Sequence, residues 1–118
     1  MPSHLCPTKA ILAATLFLGF SSNASAVDAE AAKTLARQNN CFKCHAVDKK
    51  KDGPTYKEVA AKYRGNGKSA AENEQRLITH ITSGEKAKFP DGHEEEHKII
   101  KTKDPAQIKN LIAWILSL

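Results

Sequence analysis

The chain has 118 residues and a formal net charge of +5, with 26% charged and 41% hydrophobic residues. This length suits one small domain, whose thin apolar core usually needs a disulfide, a metal or a cofactor for support. Basic and acidic residues are mixed along the chain, and no arginine-rich run or aromatic ladder indicates a nucleic-acid-binding protein.

Residues 1–26 have the pattern of a cleaved secretory signal peptide. Lys9 precedes an apolar run, AILAATLFLGF, and Ala24 and Ala26 stand in the A-x-A arrangement that signal peptidase accepts. The run is too short for a membrane-spanning helix, so an uncleaved interfacial anchor is the alternative. We therefore expect an exported protein whose mature domain comprises residues 27–118.

The pattern of the mature domain is mostly helical, with no convincing alternation typical of strands. Asp28, Ser69 and Asp104 are residue types that commonly cap helix N-termini, and Gly84 is expected to end the third helix. The predicted helices comprise residues 29–40, 55–63, a segment between Ser69 and Gly84, and a last helix that begins at Pro105. Residues 46–53 and 85–98 are predicted as loops, the second with a turn at residues 90–92.

The segment CFKCH, residues 41–45, is open to three interpretations: a haem attachment site, half of a zinc site, or a redox dithiol. A structural zinc site needs about four ligands. No second cysteine pair follows, but His93 and His97 could supply two nitrogens, so counting alone does not exclude zinc. A thioredoxin-like dithiol would need a βαβ setting, for which the chain offers no strands.

The haem interpretation accounts for all of these features together. Spacing of i, i+3 puts Cys41 and Cys44 on one side of a helical turn, where each sulfur can form a thioether to a haem vinyl group. His45 is then held under the iron as the proximal ligand. Covalent haem is attached outside the cytoplasm, which agrees with the signal segment, and the haem itself supplies much of the core.

With CFKCH, the segments GPTYKEVAAKYRG from Gly53 and IKNLIAWILSL from Ile108 resemble small bacterial class I cytochromes c that carry one haem. The resemblance implies an all-α cytochrome c fold, with four to five helices around one covalently bound haem c. It also implies a periplasmic location. In that family the first and last helices cross beside the haem, which here would bring Ala31 and Leu35 against residues of the last helix: Leu111, Trp114 and Ile115.

The resemblance also assigns roles to two further residues. Pro54 is expected to offer its backbone carbonyl to the proximal histidine, which fixes the ring and strengthens it as a donor to iron. His80 is expected near the haem propionates, where it can hydrogen-bond one of them. A surface histidine is the alternative for His80.

The family normally supplies a methionine as the sixth iron ligand, from the region where the resemblance weakens, residues 85–103. Met1 is the only methionine and belongs to the predicted signal peptide, so the mature domain alone cannot form His/Met ligation. His93 and His97 both fall near the expected position. We favour His97, which two isoleucines follow closely, over His93; an iron that is five-coordinate or water-bound is the third alternative.

His93 to His97 also match H-E-x-x-H, the signature of zinc proteases. That motif requires a helix with a core-facing side, a third ligand and a cleft for a peptide. HEEEH is charged nearly all round, so we reject this interpretation.

These ligands predict an electron carrier rather than an enzyme, with a lower potential than His/Met cytochromes, because thioether ligation raises the potential. The alternative is binding or sensing of O2, NO or CO at an open or labile sixth position. Lysines cluster around the haem motif and are expected to dock on acidic redox partners, although a merely solvated basic loop has the same pattern. They are Lys43, Lys49, Lys50 and Lys51. We expect a monomer with no membrane anchor after cleavage.

Overall fold

A computed structural model describes residues 25–118, which form four α-helices, one short 3-10 helix and one antiparallel pair of strands. The predicted signal peptide falls almost entirely outside these residues. In chain order the elements are α1 (Ala29–Gln38), the 3-10 helix (Cys41–Lys43), α2 (Tyr56–Arg64), α3 (Ala70–Thr82), β1 (Lys86–Lys88), β2 (Glu94–Glu96) and α4 (Pro105–Leu116).

Each α-helix begins where the sequence supplies a capping side chain. Asp28 and Asp104 each accept a backbone N–H bond of 2.9 Å in the first turns of α1 and α4. Thr55 and Ser69 open α2 and α3 as capping boxes, each completed by a glutamate three residues later. These bonds satisfy amides that the first turn of a helix leaves without partners. The predicted caps are confirmed.

Helix α4 packs against α1, α2 and α3 and forms the centre of the core. A reciprocal pair of hydrogen bonds fastens α1 to it: the Asp28 N–H donates to Asn110 Oδ1 at 2.9 Å, and Asn110 Nδ2 donates to the Asp28 carbonyl at 2.8 Å. The predicted contribution of Leu111, Trp114 and Ile115 to the core is confirmed.

The buried face of α1 differs from the prediction. Ala31 is exposed, whereas Ala32 and Ala36 are completely buried and Leu35 is 8% exposed. Ala32, Leu35 and Ala36 follow i, i+3, i+4 spacing and share one face, which leaves Ala31 at its edge. The small alanines let the backbones of α1 and α4 approach each other.

The charged region of residues 85–98 is not simply a loop, as the sequence pattern predicted. It contains strands β1 and β2, paired antiparallel with Lys86 opposite Glu96, Ala87 opposite Glu95 and Lys88 opposite Glu94. The predicted turn is present, and Gly92 adopts a φ of 93° there. The sequence pattern did not predict the hairpin because its strands are only three residues long and carry charged residues opposite one another instead of apolar alternation.

Within residues 25–118, none of the helices has the length and apolar character needed to cross a membrane.

The packing of α4 predicts the effect of truncating its core. Ile108→Ala should lower the free energy of unfolding by about 2–5 kcal/mol, because Ile108 is 7% exposed and belongs to the core cluster. The measurement is denaturant unfolding. Lys109→Ala, one residue along on the exposed side of α4, is the matched control and should change stability by about 0.5 kcal/mol at most. Equal midpoints for the two variants would contradict this placement of α4.

Candidate functional site

A cavity of about 1020 Å³ opens between the CFKCH segment, helices α2, α3 and α4, and the β-hairpin. The apolar part of its lining comes from aliphatic side chains of α2, α3, α4 and the chain before α4. They are Val59, Leu77, Ile81, Ile99, Ile100, Leu111, Ile112 and Ile115. Ile99 is 51% exposed, an unusual exposure for a large aliphatic side chain. A cavity of this size and lining suits a large, mostly apolar cofactor.

The CFKCH segment begins with a tight turn. Asn40 adopts a left-handed conformation with a φ of 57°, which ends α1 and starts the 3-10 helix. The Cys41 carbonyl accepts from the N–H groups of Cys44 at 3.2 Å and His45 at 3.0 Å. Both cysteines line the cavity, are half-buried and form no disulfide. The turn therefore brings both sulfurs and the His45 ring to the same cavity.

His45 is held by the contact predicted from the resemblance. Its Nδ1–H donates to the Pro54 carbonyl at 2.7 Å, because a carbonyl oxygen can only accept. The Nε2 atom of the neutral ring then carries the free lone pair. Burial lowers the pKa of His45 and so favours this neutral form. The Tyr56 ring stacks on the imidazole, with centroids 5.2 Å apart and an interplanar angle of 16°.

Gly53 is a residue of this site whose role sequence reasoning missed. A Cβ atom at position 53 would lie 2.6 Å from Cε1 and 2.8 Å from Nδ1 of His45, well inside van der Waals contact. Its N–H also donates to the Cys44 carbonyl at 2.7 Å. Only glycine allows the backbone to pass this close to the imidazole. One feature of the sequence indicated this role, since the glycine directly precedes Pro54.

Two more histidines lie at the cavity. His97 is half-buried, its Nδ1–H donates to the Lys98 carbonyl at 3.0 Å, and burial lowers its pKa. Its ring centroid lies 6.2 Å from that of His45 and 4.1 Å from that of His80. The structure therefore brings His45, His80 and His97 together.

His93 lies elsewhere, near the tip of the hairpin. It is exposed and does not line the cavity; its ring stacks on Phe89 with centroids 4.4 Å apart. Nδ1 bonds to the Asp91 carboxylate, and Nε2 lies 3.3 Å from Glu95 Oε1. The hydrogen bond to Asp91 raises the pKa of His93. Both ring nitrogens of His93 are thus engaged at the surface.

His80 belongs to a polar cluster on the cavity wall that sequence reasoning did not foresee. The Glu85 Oε1 atom accepts from His80 Nδ1 at 2.5 Å and from Arg76 Nη2 at 2.7 Å. The hydrogen bonds from Arg76 and then His80 lower the pKa of Glu85. The cluster links the end of α3 to the start of the hairpin. The sequence pattern did not predict this cluster, because it indicated one loop over residues 85–98.

The zinc interpretations find no support in this geometry. Residues 94–96, between His93 and His97, form a strand and not the helix that the zinc-protease motif requires. In the described part of the chain, no group of three or more His, Cys, Asp or Glu side chains is placed to hold a metal ion.

Comparison with known proteins decides between the remaining interpretations. The sequence model of the family "Cytochrome c" matches residues 29–118. The chain belongs to the cytochrome c family. Cytochrome c-551 of Allochromatium vinosum is 33% identical over 107 residues, which cover 86% of this chain and 100% of that protein.

Solved structures agree with this assignment. The crystal structure of the class 1 cytochrome MtoD from Sideroxydans lithotrophicus ES-1 is 68% identical, with a TM-score of 0.70, and the match covers 78% of this chain and 97% of that one. Wild-type cytochrome c552 of Nitrosomonas europaea is 30% identical, with a TM-score of 0.54, over 72% of this chain and 96% of that one. The predicted all-α cytochrome c fold is confirmed.

Family membership also confirms haem c, with its iron, as the cofactor and electron transfer as the kind of function. The residues present fit this group. The cavity has a volume and aliphatic walls that suit a haem. Cys41 and Cys44 both line it with free thiols, and Gly53 lets the backbone pass close to the His45 ring.

The close approach of Gly53 predicts a steric effect. Gly53→Ala should destabilise the protein by about 1–3 kcal/mol, because the new Cβ must push the His45 ring or its own backbone aside. The measurement is denaturant unfolding of the haem-bearing protein, together with its absorption spectrum. Gly65→Ala is the control, since its Cβ would meet nothing closer than 3.5 Å and its φ is −93°. Equal losses in both variants would contradict the steric role of Gly53.

Proposed function

We propose that the protein is a periplasmic electron carrier with one haem c, held by thioethers to Cys41 and Cys44 and ligated by His45 and His97. When bound, the haem supplies an iron that gains or loses one electron. The single observation that carries the ligand assignment is the spatial relation of the two imidazoles, with ring centroids 6.2 Å apart across a shared cavity.

This separation would suit two histidines that hold one iron between them. A metal–imidazole bond is about 2 Å long, so rings whose centroids are this far apart would leave room for one metal ion between their nitrogens. His45 and His97 also have the same polar environment. Each donates Nδ1–H to a backbone carbonyl, of Pro54 or Lys98, which orients the ring and leaves Nε2 as the ligating nitrogen.

His97 is a better candidate than His93 on these grounds. His97 lines the cavity and is half-buried, and burial favours its neutral form. His93 is exposed, and carboxylates engage both of its nitrogens. To bind the same iron as His45, His93 would have to give up both bonds and its stacking on Phe89.

Ligation by two histidines defines the chemistry. If His45 and His97 both held the iron, they would leave it no site for a substrate or a gas, so it would serve electron exchange, and O2, NO or CO binding would not be favoured. Imidazole in place of methionine gives a lower potential than that of His/Met cytochromes.

The basic residues around the haem motif support docking on acidic partners. Lys43, Lys49, Lys50 and Lys51 are all exposed, and three of them (Lys43, Lys50 and Lys51) lie at the cavity. Lys51 also donates to the Phe42 carbonyl, which ties this basic loop to the CFKCH segment. Electrostatic attraction would bring a partner to the edge of the cavity and speed encounter.

We propose that the mature domain, residues 27–118, acts as a monomer in the periplasm after cleavage of residues 1–26.

The ligand assignment predicts the spin state of the iron. The ferric wild type should be low-spin, and His97→Ala should become high-spin because it loses the sixth ligand. Electron paramagnetic resonance and absorption spectra measure both. His93→Ala is the matched control and should remain low-spin. A high-spin change confined to His93→Ala would transfer the ligand role to His93, and a high-spin wild type would refute ligation by two histidines.

The docking surface predicts a charge effect on electron exchange. Changing Lys43, Lys49 and Lys50 to Glu should slow oxidation of the ferrous protein by the anion ferricyanide by roughly tenfold at low ionic strength. The difference should shrink in salt because screening shortens the range of the field. The same exchange at Lys68, Lys103 and Lys109, which lie away from the cavity, gives an equal net charge. Equal rates for the two triple variants would disprove a localised docking surface.

A further inference from the structure

The chain that carries His97 is held by two backbone hydrogen bonds near the open end of the hairpin, one to Glu85 at the start of the hairpin and one to helix α3. The His97 N–H donates to the Glu85 carbonyl at 2.9 Å, and the Ile100 N–H donates to the Ile81 carbonyl at 2.8 Å. Gly84, with a φ of 70°, turns the chain from α3 into this segment. The backbone position of His97 is therefore set by Glu85.

Glu85 is itself fixed by its side chain. Its Oε1 atom accepts from Arg76 and from His80, both on α3, at 2.7 Å and 2.5 Å. Hydrogen bonds between charged groups are stronger and more directional than neutral ones. The carboxylate thus holds the start of the hairpin against the helix, in a region where the strands themselves contribute little apolar packing.

The same carboxylate reaches the ring of His97 through His80. The bond to Glu85 orients the His80 imidazole, and that imidazole lies against the His97 ring, with centroids 4.1 Å apart and an interplanar angle of 42°. Glu85 therefore acts on His97 at two points. Its carbonyl holds the backbone of His97, and its carboxylate supports the ring.

We propose that Glu85 is a positioning residue that keeps His97 at the iron and so controls how readily the sixth ligand leaves. This inference rests on the proposed ligation by His45 and His97. Both side-chain bonds of Glu85 are made to residues of α3, so we infer that its effect on the iron is transmitted through His80 and His97.

The experiment measures how fast cyanide binds to the ferric protein, a rate limited by departure of the sixth ligand. Glu85→Ala should bind cyanide roughly threefold to tenfold faster than the wild type, the effect expected from losing hydrogen bonds at a partly exposed site. Glu85→Gln keeps the side-chain size and one acceptor oxygen, and its rate should lie between the two. It also keeps the test valid if the alanine variant does not fold.

Glu94→Ala is the matched control, because it removes the same charge from the hairpin at an exposed position that does not line the cavity. Its cyanide rate should equal that of the wild type. A low-spin wild type with the same cyanide rate in Glu85→Ala, Glu85→Gln and Glu94→Ala would overturn the role of Glu85 while leaving the ligand assignment intact. A high-spin wild type, or a His97→Ala variant that stays low-spin, would overturn the ligand assignment and the inference with it.

Discussion

The bond between His45 Nδ1 and the Pro54 carbonyl is the constraint on which the rest of this site depends. It fixes the tautomer of the ring, and it exists only because Gly53 lets the backbone pass beside the imidazole. Tyr56 covers the ring, and Trp114 of α4 packs against Tyr56 with centroids 5.6 Å apart. The central helix of the core thus supports His45 through one buried aromatic residue.

The opposite wall of the cavity is built differently. The hairpin that leads to His97 has exposed, charged strands and is held to α3 by the polar contacts of Glu85 and by one backbone bond from Ile100. Segments with few buried apolar contacts and many exposed hydrogen bonds open more readily than packed cores. His97 therefore lies in the less stable part of the fold. On the proposed ligation, an exchange of an iron ligand should occur on its side while His45 stays in place.

This difference also explains how much could be predicted from the sequence. Local signals predicted the helix caps Asp28, Ser69 and Asp104, and the CFKCH spacing predicted the haem site, because each depends on residues within a few positions. The contacts of Glu85 depend on how α3 and the hairpin meet, which no local pattern encodes. The choice between His93 and His97 could not be settled by counting from either end, since it depends on where the hairpin begins and turns.

The distribution of charge follows from the same architecture. The glutamates of β2 face lysines across the ladder, Lys86 opposite Glu96 and Lys88 opposite Glu94, and Glu95 lies beside His93. Their field is therefore largely offset by positive groups within the hairpin, and it falls off within about 10 Å at moderate ionic strength. Near CFKCH, Asp48 pairs with Lys57 rather than with the lysines of its own loop. Basic residues lie at the cavity both near CFKCH and near the hairpin, and those near CFKCH are Lys43, Lys50 and Lys51. On the proposed ligation and docking, a partner attracted to the lysines near CFKCH would approach the haem on the side of His45, where docking need not disturb the polar contacts that hold His97.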